Sequence, residues 1–66
     1  MKKVIYNELN TGDIFALTDN HKDQRRYRRD KEGATEIVNA QGIKDLNSTF
    51  KVYPFWTMTV YKEEFE

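Results

Sequence analysis

Lys51-Val52-Tyr53-Pro54-Phe55-Trp56-Thr57-Met58-Thr59-Val60-Tyr61-Lys62 holds the densest apolar and aromatic run of the chain. From Phe55 onward its period is two: Trp56, Met58 and Val60 share one face, and Phe55, Thr57, Thr59 and Tyr61 share the other. β-Branched and aromatic residues suit a pleated, half-buried surface, so this segment predicts a strand with Trp56 as the largest single piece of the core. Pro54 cannot donate to a ladder and marks a bend between a short Phe50 to Tyr53 segment and the longer strand.

Upstream, the same punctuation recurs. Val4-Ile5-Tyr6 fits an edge strand, Leu9 an apolar anchor, and Asn10-Thr11-Gly12 a turn. Asp13 to Leu17 carries four consecutive apolar residues after Gly12-Asp13, which suits a strand covered on both faces. Thr18 to Asp23 is polar and reads as an exposed loop. Gln24 to Arg29 follows as a strand with Tyr27 on the face of Arg25 and Arg29, and with Arg26 and Arg28 opposite. Asp30-Lys31-Glu32-Gly33 is a hairpin loop with Gly33 placed for a left-handed conformation.

Ala34 to Asn39 is the return strand, although Ala34, Ile37, Val38 and Gln41 also match a two-turn helix over residues 34–41 ended by Gly42. The strand is preferred, because so short a helix has little stability alone. Gln41-Gly42 turns the chain, Ile43 and Leu46 re-enter the core, and Asn47-Ser48-Thr49 leads to Phe50. Short strands at this spacing predict a mainly all-β fold, a small barrel or sandwich forming one domain over residues 1–66.

The order Leu9-x-x-Gly12-Asp13-x-Phe15, then Tyr27 among basic residues, Gly33-Ala34, Gly42 and Val52-Tyr53-Pro54 resembles small SH3-like barrel proteins of phages and other mobile elements. The resemblance covers most of the chain, and its motifs are structural. It implies a five-stranded barrel and a non-enzymatic accessory role, often host takeover or evasion of host defences, and it transfers no functional residues.

Composition narrows the chemistry. The chain has 66 residues, no cysteine and one histidine, so disulfides are excluded and a zinc site is disfavoured. The lack of cysteine fits a cytoplasmic protein; the start has a basic pair without an apolar run behind it, and no window suits a membrane span. His21 stands in a polar loop, Asp19 with Asp23 and Glu63 with Glu64 read as hydrated carboxylates, and no glycine-rich phosphate loop is present, so no enzymatic activity and no cofactor are expected.

Charge gives the clearest functional signal. Net charge is zero, yet residues 21–31 carry six basic and two acidic side chains, and the tail Lys62 to Glu66 carries one basic and three acidic. The two regions could neutralise each other across the fold. Alternatively Lys22, Arg25, Arg26, Arg28 and Arg29, with Tyr27 interleaved, form a contact strip. Arginine and tyrosine are favoured at interface hot spots, which points to a host protein with an acidic surface; the alternative is nucleic acid, with Tyr27 available for stacking. Overall neutrality favours the protein partner. Open sheet edges allow either a monomer or a homodimer.

Overall fold

Ile14-Phe15-Ala16 is the strand on which the chain centres: strands on either side pair both of its edges, and Phe15 and Ala16, on opposite faces, are both buried. A computed structural model describes residues 1–64. The strands are β1 (Lys2–Ile5), β2 (Ile14–Ala16), β3 (Arg26–Arg29), β4 (Ala34–Val38), β5 (Lys51–Val52) and β6 (Thr59–Lys62). All pairings are antiparallel in one sheet of order β1-β6-β2-β3-β4-β5. Phe15 faces Tyr27 on β3 and Lys62 on β6.

The all-β expectation holds, but the architecture differs from a closed five-stranded barrel: six strands form an open sheet, and among the described residues no ladder joins β1 to β5. The sheet is not flat. Six strands about 4.8 Å apart make a layer about 10 Å thick if planar, whereas the molecule measures 27 × 25 × 23 Å, so twist coils the sheet around its core. A register shift between Arg26 and Tyr27 adds local bend to β3.

The strand alternative for residues 34–41 holds, since β4 pairs with both β3 and β5 and no helix forms there. The hairpin loop is Asp30 to Gly33 as read, closed by Asp30 N donating to Gly33 O at 2.7 Å. Gly33, however, is not left-handed; the positive φ angles belong to Gly12 and Gly42, which close the turns after Asn10 and Asn39. Gly33 is required for close approach instead. A Cβ there would lie 2.7 Å from both the Val52 carbonyl oxygen and Tyr53 Cδ1. Backbone cannot swing aside as a side chain can, so Gly33→Ala is expected to lose about 1–3 kcal/mol in urea unfolding.

The core comprises Tyr6, Leu9, Phe15, Tyr27, Ala34 and Val60, with Val4, Leu17, Val52 and Met58 packed against it. Trp56 is not part of it. Residues 55–58 turn instead of continuing the strand, Met58 N donates to Phe55 O at 3.1 Å, and Trp56 is left 54% exposed. The turn is held from the other side: Tyr6 N and Asn7 N, on the 3-10 turn Tyr6–Glu8, donate to the Met58 and Trp56 carbonyls. Period two survives for Val60, which is fully buried, and for Met58. Ile43 and Leu46 do not re-enter the core; they are 63% and 60% exposed, because the chain from residue 43 to 50 runs along the sheet edge beside β4.

Candidate functional site

β3 spreads the basic strip along four residues and, by alternation, onto two faces, and the structure does not leave those cations together. Lys22 and Arg25 precede the strand and are exposed. Arg25 grips the Asp23 carboxylate with Nε and Nη2 at 3.0 and 2.9 Å. Arg26 donates from Nε to Glu63 Oε1 at 2.9 Å and from Nη1 to the carbonyls of Asp23 and Arg25. That pair realises part of the neutralisation foreseen between strip and tail; residues 65 and 66 of the tail lie outside the described residues. Arg28 is 3.6 Å from Asp30, whose other oxygen takes Lys51 and the Thr35 hydroxyl.

Arg29 behaves differently from the rest. It has no carboxylate partner among the described residues. Its Nη1 donates to the carbonyl oxygens of Tyr6 and Leu9, and its guanidinium lies 5.1 Å from the ring centres of both Tyr6 and Trp56. The side chain ties the 3-10 turn to the end of β3 and props Trp56 over the core edge. Tyr27 is 3% exposed, packed 5.7 Å from the Phe15 ring, and burial raises its phenol pKa. It therefore fills the core and presents no face for stacking.

These ties have an electrostatic consequence. Hydrogen bonding from Arg25 lowers the Asp23 pKa to about 2, and Asp30 is lowered chiefly by Lys51 and then by the Thr35 hydroxyl. A carboxylate with a depressed folded pKa stabilises the fold above its ordinary 3.8, and that contribution is lost as pH falls through the folded value. The thermal midpoint is accordingly expected to fall between about pH 4 and pH 2, with a shallower fall in Asp30→Asn.

What remains accessible is a second group of residues. Phe50, Tyr53, Phe55 and Trp56 are 60%, 71%, 78% and 54% exposed, around the Pro54 break. Tyr53 lies over Gly33 and Trp56 over Arg29, so this connection passes beside the end of the β3–β4 hairpin, where Arg28, Asp30 and Lys51 also meet. Alternation put Trp56 on the core face and Tyr53, Phe55 and Tyr61 opposite it, to be exposed or to fill the barrel; what it missed is the exposure of Trp56. The available signal was the proline followed by more aromatics than one strand face of so short a chain can bury.

A cavity of about 220 Å³ opens near the other end of β3, between β4 and residues 43–50. The chain pairs with β4 through Asp45 N donating to Ile37 O at 2.8 Å and again through Glu36 N donating to Phe50 O at 2.9 Å, and bulges away between those bonds. Ile37, Ile43 and Phe50 supply apolar walls and Asp45 a carboxylate, while Glu36, paired with Tyr27, carries its side chain on the opposite face of β4 from Ile37. Among the described residues neither Glu36 nor Asp45 has a salt-bridge partner. His21 is exposed in its loop, and among the described residues no helix is long and apolar enough to cross a membrane. Comparison with known proteins returned no matching family model, curated protein or solved structure.

Proposed function

We propose that this chain is a non-enzymatic accessory module that binds and modulates a partner protein, as the small SH3-like proteins of mobile elements that it resembles do with host proteins. One observation carries the reading: four large hydrophobic side chains, Phe50, Tyr53, Phe55 and Trp56, stand more than half exposed within seven residues. A 66-residue chain has little apolar area to spare for water, and exposed aromatics bordered by charge are the composition of a recognition surface. Arg28 and Lys51 border them at the hairpin end and offer charge to an acidic partner surface, while Lys22 and Arg25 stand at the opposite end of β3. Arg26, Arg29 and Tyr27 act within the fold.

Burial of Tyr27, which leaves the strip without a stacking face, weighs against nucleic acid. The test is affinity capture from nuclease-treated host lysate, identification by mass spectrometry, and titration of the purified partner with wild type and with Tyr53→Ser/Phe55→Ser. The double variant is expected to bind at least tenfold more weakly, as for loss of aromatic hot spots. Equal binding would remove the aromatics from the mechanism, and capture abolished by nuclease would favour a nucleic-acid partner.

A further inference from the structure

The two outer strands of the sheet differ in how their free edges are kept. Tyr6 N donates to Met58 O on the β6 side, so alternation turns the N–H and C=O of Lys3 and Ile5 outward along β1. Glu8 Oε1 caps the Ile5 amide at 3.1 Å, and Lys2 and Lys3 stand exposed beside it, a common protection of an edge. β5 has no such cover. Glu36 N donates to Phe50 O, so Phe50 and Val52 bond toward β4 while the N–H and C=O of Lys51 and Tyr53 turn away from it, and no turn or side chain among the described residues takes them. Lysine and proline ordinarily blunt an edge, but both are diverted here. The Lys51 ammonium is held by Asp30 of its own hairpin, and Pro54 lacks its N–H on the β4 side, not on the free one. Tyr53 is drawn back over Gly33, whose missing Cβ makes room for the ring, and so leaves the edge clear.

We propose that the β5 edge pairs with the β5 edge of a second copy of this chain, antiparallel about a two-fold axis at Val52, so that Lys51 of each copy lies opposite Tyr53 of the other. Each Lys51–Tyr53 pair then exchanges two N–H to C=O bonds, the symmetry gives two such pairs, and Phe50 meets Pro54 of the second copy on either side of the facing valines. The edge is complementary to itself in one register. Centring the pairing on Lys51 sets Lys51 against Lys51, like charges directly opposite. Centring it on Tyr53 sets Lys51 against Phe55, whose carbonyl already accepts the Met58 amide at 3.1 Å. The register centred on Val52 joins free donors to free acceptors and covers Phe50 and Tyr53, which are 60% and 71% exposed in the single chain. An edge this short makes a weak dimer, and association is expected between about 10 µM and 1 mM.

The inference goes beyond the protein-binding reading and needs only the edge of β5; at the low micromolar concentrations of a partner titration the chain is a monomer, so the two are tested apart. Sedimentation equilibrium from about 10 µM to 1 mM is expected to show a mass rising toward twice that of the chain. A mixture of 13C-labelled and unlabelled chain is expected to give an Hα–Hα nuclear Overhauser contact between Val52 of the two copies, which face each other in a non-hydrogen-bonded pair. Tyr53→Lys and Tyr53→Glu, each confirmed as folded by its amide spectrum, remove the same ring yet are expected to part. Lysine faces Lys51 of the second copy and weakens association, glutamate faces it and strengthens association, and the two dimer constants differ by about fivefold or more. Lys51→Glu/Tyr53→Lys is expected to restore the association that Tyr53→Lys loses. A chain that stays monomeric at about 1 mM, a dimer without the Val52 contact, or equal association of the lysine and glutamate variants overturns the proposal.

Discussion

Phe15→Ala is expected to destabilise the fold by about 3–5 kcal/mol. Phe15 is fully buried at the centre of the sheet, its ring edge-on to Tyr6 at 5.5 Å and tilted against Tyr27 at 5.7 Å. Truncating a buried phenylalanine costs about 3–5 kcal/mol in transfer and cavity terms. Total stability at 0.05–0.15 kcal/mol per residue comes to about 3–10 kcal/mol for a chain of this length. One substitution thus removes from about a third of the stability to all of it. Far-ultraviolet circular dichroism with urea titration would show it, and Phe15→Leu, expected to cost about 1–2 kcal/mol, keeps a folded reference. A loss of less than about 1 kcal/mol in Phe15→Ala would mean that the core is centred elsewhere.

The second large effect concerns Arg29, which a reading from charge alone assigns to a partner. Arg29→Ala is expected to destabilise the fold by about 2–4 kcal/mol, because the Tyr6 and Leu9 carbonyls lose a charged donor and two aromatic rings lose the cation between them. Lysine is expected to restore less than half of that loss, since an ammonium has neither the planar fork nor the stacking face of a guanidinium. Trp56 fluorescence during denaturation reports the same event locally, as its indole lies against Arg29 and Tyr6. A substitution that left stability unchanged would return Arg29 to the surface strip.

These two side chains also mark how far the sequence could be read. β2, the Asp30 to Gly33 loop and the preference for a strand at Ala34 to Asn39, found at Ala34–Val38, were legible because an uninterrupted apolar run, a turn tetrad and short-range propensity are local signals. The ends of β6 were not. Alternation from Phe55 to Tyr61 is real in the sequence, but the backbone of Tyr6 and Asn7 captures the carbonyls of Met58 and Trp56, a long-range contact without a local signature. Open edges at β1 and β5 likewise follow from tertiary geometry, whereas strand spacing left barrel and sandwich open and the resemblance implied closure.

The candidate site divides in the same way. Excess positive charge before and within β3 was legible, but whether each cation faces solvent or an internal acceptor depends on partners as remote as Glu63 for Arg26 and Leu9 for Arg29. Tyr27, interleaved among arginines, reads equally well as a stacking platform or a core residue; its pairing position beside Phe15 decides for the core. The cavity was illegible because it is made by a bulge between two backbone hydrogen bonds, at Ile37 and at Glu36, that no sequence period announces.

The central claim is a division of labour between arginines that hold the fold and exposed aromatics that meet the partner. Its most direct test is a matched pair of measurements, urea unfolding and titration of the captured partner, on Arg29→Lys and Tyr53→Ser/Phe55→Ser. The account predicts lost stability with partner affinity within about threefold of wild type, measured at a temperature where it is folded, for the first variant. For the second it predicts stability within about 0.5 kcal/mol and affinity reduced at least tenfold. Unchanged affinity in the aromatic variant, with a large loss in a fully folded Arg29→Lys, would contradict it.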